Sequence, residues 1–164
     1  MSNFDRAFAD LMANEGGYSN NKADPGGQTK YGITEATARQ NGYTGAMADL
    51  PLETAKAIYQ TEYWHDEFDQ LPYSLAFQVF DASVNSGFGT ATRWLQMAVN
   101  VRPDGVWGAK TTSAARATPT PVAIGLFNAF RLRFMASLAT WKTFGDGWAR
   151  RIANNLIHGM EGER

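Results

Sequence analysis

The chain has no cysteine. No disulfide framework can hold it, and no thiol can serve as nucleophile or metal ligand. For a small protein this also points to synthesis in a reducing cytosol. Histidine is scarce as well: His65 and His158 are the two present, and no H-E-x-x-H arrangement occurs. His65-Asp66-Glu67 puts three potential ligands in succession, but immediate neighbours in sequence do not converge on one ion. No metal and no cofactor are therefore expected, and nucleophile elbows, phosphate loops and dinucleotide fingerprints are missing too. A charge excess is also lacking. The formal net charge of -1 provides no basic field for nucleic acid. No uncharged apolar run reaches membrane-spanning length. The opening Met-Ser-Asn-Phe-Asp-Arg has neither a basic segment nor an apolar one, so synthesis without a signal peptide is expected.

What is present suits a folded chain of 164 residues, 44% hydrophobic and 19% charged. Phe4, Ala7, Phe8, Leu11 and Met12 fall at helical spacing, with Ser2 or Asn3 as cap and Gly16-Gly17 as terminator. Residues 18–33 are rich in Asn, Gly, Asp and Pro and read as a loop or small irregular hairpin. Thr34 can cap a short helix to Gln40, and Pro51 opens a helix to about Tyr63. Leu75 to Ser86 is apolar on most faces and reads as a central helix. Gly87-Phe88-Gly89 breaks it, and Thr90 starts another helix through Val99. Asp104-Gly105 is a turn, and Thr112 to Ala117 a short helix. Pro121 opens a long helix to about Trp141, and Gly145-Asp146-Gly147 breaks the chain before a last helix to His158. The late basic residues Arg131, Arg133, Lys142, Arg150 and Arg151 read as a solvated helix face. The expected class is mainly α, with little strand beyond the first loop and a seam near residues 88–92.

One constellation carries chemistry. Glu15 stands at a helix end beside two glycines, which let a bulky ligand approach the backbone. Asp24 follows across a loop that can fold back, and Thr29 lies a little further on. Glycoside hydrolysis needs one carboxylic acid to protonate the leaving oxygen and a second group to position water or stabilise the developing cation. Glu15, against an apolar helix face, could act as the acid, Asp24 could remain ionised, and Thr29 could hold the water. The residues alone equally allow Glu15 to be a surface helix end and Asp24 a turn former.

The stretch Glu15-Gly16-Gly17-Tyr18-Ser19, followed by Asp24-Pro25-Gly26-Gly27-Gln28-Thr29-Lys30-Tyr31-Gly32-Ile33-Thr34, resembles the signature of glycoside hydrolase family 108. That resemblance implies a lysozyme-like fold and an N-acetylmuramidase of phage or bacterial origin, often an endolysin. It maps the family's catalytic glutamate onto Glu15. The order Glu15, Asp24, Thr29 is similar to that of phage-type lysozymes, with Thr29 one residue closer to Asp24. Asp81-Ala82-Ser83-Val84-Asn85-Ser86-Gly87 is similar to the family's central-helix motif. Asp81 and Asn85 share a helix face, and Asn85 either binds an N-acetyl group or satisfies its own helix. Trp94-Leu95-Gln96, Asp104-Gly105-Val106-Trp107-Gly108 and Thr111 resemble a peptidoglycan-binding module, with Asp104-Gly105 and Gly108 shaping a turn.

The resulting expectation is a catalytic lobe over 1–90 and a helical peptidoglycan-binding-like lobe over 91–164, packed as one compact unit. Sugar faces pack on aromatic rings, so Tyr18, Tyr31 and Trp64 join Asn85 as substrate-binding candidates, with Tyr63 and Trp107 behind them. Phe77, Phe80, Phe127, Phe130 and Phe134 are assigned to the core. The partner implied is the glycan strand of peptidoglycan, acted on by a monomer in the periplasm or cell wall after release by a holin or another export route. Competing readings are a lytic transglycosylase, a bacterial muramidase aiding secretion and a non-catalytic wall-binding module. A membrane-active helix within Pro121 to Trp141 is a weaker reading than a buried core helix, because its apolar positions wrap most of the circumference.

Overall fold

The computed structural model describes residues 2–14 and 28–161. Among these, eight α-helices and one two-stranded sheet form two compact units, Met1–Trp64 and His65–Arg164.

In the first unit, α1 (Asn3–Asn14) starts at a reciprocal cap. The Ser2 Oγ accepts from the Asp5 amide at 3.1 Å, while the Asp5 carboxylate accepts from the Ser2 amide at 3.0 Å. Asp5 also pairs with Lys56 Nζ at 2.6 Å, which fastens α1 to α3 (Leu52–Glu62). Hydrogen bonds from Lys56 and Ser2 hold the Asp5 carboxyl well below the usual carboxylate range. Phe4, Phe8 and Leu11 recur at helical spacing and bury one face of α1. Phe8 meets Tyr59 of α3 at a ring separation of 5.6 Å. Pro51 stands just outside α3 as its cap, because its extended backbone (φ -69°, ψ 146°) precedes the first helical residue.

Between these helices lies a hairpin of β1 (Thr29–Lys30) and β2 (Ile33–Thr34), antiparallel with Thr29 opposite Thr34 and Lys30 opposite Ile33. Tyr31 and Gly32 make its turn with φ of 54° and 75°. Two consecutive positive values suit the right-handed twist of a tight hairpin. Thr34 then caps α2 (Glu35–Gln40), its Oγ1 accepting from the Thr37 amide at 3.2 Å.

The second unit is built around α4 (Tyr73–Ser86), buried continuously from Ser74 to Ser83. Its partners are α5 (Phe88–Ala98), α7 (Thr120–Ala136) and α8 (Trp141–Glu161). Gly87, at φ +83°, is at once the C-cap of α4 and the N-cap of α5. Residues 90 and 91 fall inside α5. The short helix α6 begins at Ala109 and runs to Ala117.

Three expectations need correction. The long helix from Pro121 ends at Ala136, and Gly145-Asp146-Gly147 does not interrupt the next one: α8 runs through it from Trp141. Gly145 is buried for a packing reason. A Cβ there would stand 2.5 Å from the Trp141 ring, so the missing side chain gives the indole its place one turn away. Second, the basic residues are not a uniform solvated face. Arg131 is 0% exposed and Arg151 turns inward, and both bind Asp81. Third, Phe134 is 44% exposed and not a core residue, while Phe77, Phe80 and Phe127 are buried as expected. Among the described residues no helix is long and apolar enough to cross a membrane.

Candidate active site

Glu15, Tyr18 and Asp24 lie outside the described residues. Thr29, Tyr31 and Trp64 belong to the first unit, and Asn85 to the second.

Thr29 is half-buried in β1, where cross-strand pairing fixes its backbone. The hairpin is held on both sides. Lys30 Nζ donates to the Ala48 carbonyl and lies 5.2 Å from the centre of the Tyr31 ring. The amide of Glu35 donates to the Gln28 carbonyl at 3.0 Å. Tyr31 occupies the left-handed region, which costs a non-glycine residue free energy unless surroundings over-determine it. Its carbonyl accepts from the Tyr59 hydroxyl at 3.0 Å. The same Tyr59 accepts through its main-chain carbonyl from Trp64 N at 3.1 Å. Trp64 packs edge-on against Phe4 at 5.6 Å. Tyr59 thus ties two of the candidate substrate-binding residues to α3, and no reading of the sequence singled it out. The available signal was a tyrosine, rather than an aliphatic residue, on the buried face of α3. Beside it, burial first and then Glu62 push the Tyr63 hydroxyl above its ordinary pKa.

Asn85 is exposed on α4, and its amide donates to the Asp81 carbonyl one turn earlier at 2.7 Å. Asp81 faces inward. Its carboxylate accepts from Arg131 Nη1 at 2.7 Å, from Arg151 Nη2 at 2.7 Å and from Asn155 Nδ2 at 2.6 Å. Burial alone would raise its pKa, but Arg131 and Arg151 outweigh burial and hold it below the ordinary value. Gln78, one turn earlier on α4, accepts from Asn128 at 2.9 Å and donates to the Asn155 carbonyl at 2.8 Å. The polar side of α4 is therefore a structural seam to α7 and α8.

The block from Trp94 to Thr111 is organised by Gln96. Its amide nitrogen donates to Asp104 Oδ1 at 2.8 Å, the Val106 carbonyl at 3.0 Å and Thr111 Oγ1 at 3.2 Å. Its oxygen accepts from the Gly105 amide at 2.9 Å. Gly105 has φ +79°, so the turn expected at Asp104-Gly105 is present and needs a glycine.

A mainly helical fold with a small hairpin after the first helix is that of a lysozyme-like protein, and the comparisons give this class its chemistry: a glycoside hydrolase. Residues 8–87 match the family model of glycosyl hydrolase 108. A solved structure, that of Brucella abortus SagA, is similar at 33% identity and a TM-score of 0.86, covering 98% of this chain and 95% of that one. The chain belongs to the glycosyl hydrolase 108 family. No curated protein was found to match it.

Proposed function

We propose that the protein is an N-acetylmuramidase that cleaves the β-1,4 bond between N-acetylmuramic acid and N-acetylglucosamine in peptidoglycan, and that it serves as a phage endolysin. The observation that supports this reading is the family match over residues 8–87, which contains the Glu15, Asp24 and Thr29 block. In the proposed mechanism Glu15 protonates the leaving oxygen. Asp24, assisted by Thr29, activates or orients the attacking water on the opposite face of the sugar. Tyr18, Tyr31, Trp64 and Asn85 contact the glycan. The enzyme acts as a monomer, and a holin or another export route admits it to the wall.

Zymography on purified peptidoglycan, wild type beside Glu15→Gln, tests the assignment. Clearing by the wild type and none by the folded variant is the expected result. Near-normal clearing by Glu15→Gln removes the glutamate from the mechanism. Mass spectrometry of the fragments separates the chemistry further, since anhydro-muramic ends identify a transglycosylase in place of a hydrolase.

A further inference from the structure

The second unit leaves one apolar face uncovered. The helix α7 is apolar on all sides, so packing Ile124, Phe127 and Met135 into the core leaves other apolar residues outside. Val122, Leu126, Ala129 and Arg133 recur at helical spacing, and all four are exposed. Val122 is 50% exposed and Leu126 42%. Phe130 and Phe134 border this strip. Beside them a hollow of about 350 Å³ is lined by Trp94 and Met97 of α5 and by Arg133 and Phe134 of α7. We propose that this face of α5 and α7 is a docking surface for a bilayer leaflet rich in anionic phospholipid, which the folded protein meets from one side without crossing it. The inference does not depend on the muramidase reading.

Three observations select this occupant. The first is charge. None of α5, α6 and α7 contains an acidic residue. The near-neutral chain is polarised along its length: residues 1–81 hold twelve Asp and Glu against five Lys and Arg, and residues 82–164 hold four against ten. An anionic surface complements the later part. The second observation is Arg133. It stands within the apolar strip and makes no hydrogen bond or ion pair among the described residues. A guanidinium beside an apolar hollow matches a phosphate headgroup whose acyl chain enters the hollow.

The third observation is the poor fit of a second copy. Two copies joined through this face would set Arg133 and its basic surroundings against their own kind. The acidic first unit exposes, among the described residues, one large apolar side chain, Leu52, which leaves nothing to cover the strip. Lipid is met at the interface only, because α7 has 17 residues and no described helix is long and apolar enough to span a bilayer. A helix with an apolar face and cationic flanks lies in the plane of that interface.

Co-flotation of the full-length protein with lipid vesicles tests the surface. Binding is expected to vesicles of phosphatidylglycerol and phosphatidylethanolamine, and not to vesicles of phosphatidylcholine alone. It should fall as salt is raised, and the vesicles should retain an enclosed dye. Arg133→Glu reverses one charge and should weaken binding about tenfold or more. The double variant Val122→Ser, Leu126→Ser should also bind about tenfold more weakly. Its melting temperature should be unchanged, since both side chains already face water. Failure of the wild type to float with anionic vesicles, equal binding to phosphatidylcholine, or undiminished binding by the double variant would overturn the surface. Dye release would overturn docking of the intact fold from one side. A dimer in sedimentation equilibrium that the double variant abolishes would give the face to a second copy and overturn the lipid assignment.

Discussion

Arg131, fully buried on α7, donates from Nη1 to Asp81 Oδ2 at 2.7 Å, joining positions fifty residues apart in the sequence. Arg151 and Asn155 of α8 bind the same carboxylate, so one acidic side chain fastens three helices. Asp81→Asn leaves two guanidinium groups facing a neutral amide. Removing one partner of a buried ion pair typically costs about 3–5 kcal/mol. A drop of that size in unfolding free energy, with helix content kept at low temperature, is the expected result of denaturant titration. A loss below 1 kcal/mol would mean that the network contributes no more than a surface pair.

The same carboxylate sets an acid limit. Its folded-state pKa lies below the ordinary 3.8. Its stabilisation is therefore complete above about that value and is lost as pH falls through the folded-state pKa. The melting temperature should decline steeply below about pH 4, and Asp81→Asn should flatten that decline. An unchanged slope in the variant would assign acid unfolding to other carboxylates.

Two glycines of α8 should respond in opposite directions to alanine. Gly147 is exposed with nothing near its absent Cβ, so Gly147→Ala should stabilise by about 0.5–1 kcal/mol through helix propensity. Gly145→Ala would push a methyl group into the Trp141 ring and should destabilise by about 1–3 kcal/mol. Thermal melts of the pair check both signs.

Tyr59→Phe removes the hydroxyl that holds the Tyr31 carbonyl. A cost of about 0.5–1.5 kcal/mol is expected, together with faster hydrogen exchange at the Lys30 and Ile33 amides. Exchange faster throughout α3 as well would place the effect in the core and not in the hairpin.

For catalysis, Glu15→Gln should lose about 10²–10⁴-fold in rate. Asp24→Asn should cost most of the activity, and Thr29→Ala less, because a hydroxyl only orients the water. If Asp24 and Thr29 share that water, the two carboxyl groups stand roughly 6.5–9.5 Å apart and the reaction inverts the anomeric centre. Proton NMR of the fresh product checks this, and a β-configured reducing end would exclude the arrangement.

The helical period of α1 was legible because it buries a stripe of apolar residues, α4 because it is apolar on most faces, and Thr34 was legible as a cap because its hydroxyl acts within three residues. The hairpin was anticipated only as irregular. Its turn uses a tyrosine at positive φ, which no turn preference favours and which Tyr59 stabilises from α3. Gly145 misled for a related reason, since a glycine admitting a ring looks in sequence like a glycine ending a helix. Arg131 and Arg151 passed for solvent-facing charges, because local sequence does not show that Asp81 waits on another helix. Of the candidate site, Glu15 and Asp24 lie outside the described residues, and the tie from Tyr59 to Tyr31 was not readable because it joins positions 28 residues apart.

The arrangement around Asp81 also bears on how the protein is made. The carboxylate on α4 accepts from Asn155, seventy-four residues later in the chain. At ordinary elongation rates several seconds separate the synthesis of these two positions. Until Arg131, Arg151 and Asn155 emerge, burying α4 would strand an unneutralised charge. Closure of the second unit's core around α4 is therefore expected only once α8 has been synthesised, whereas the partners of α1, Lys56, Tyr59 and Trp64, all lie within the first 64 residues.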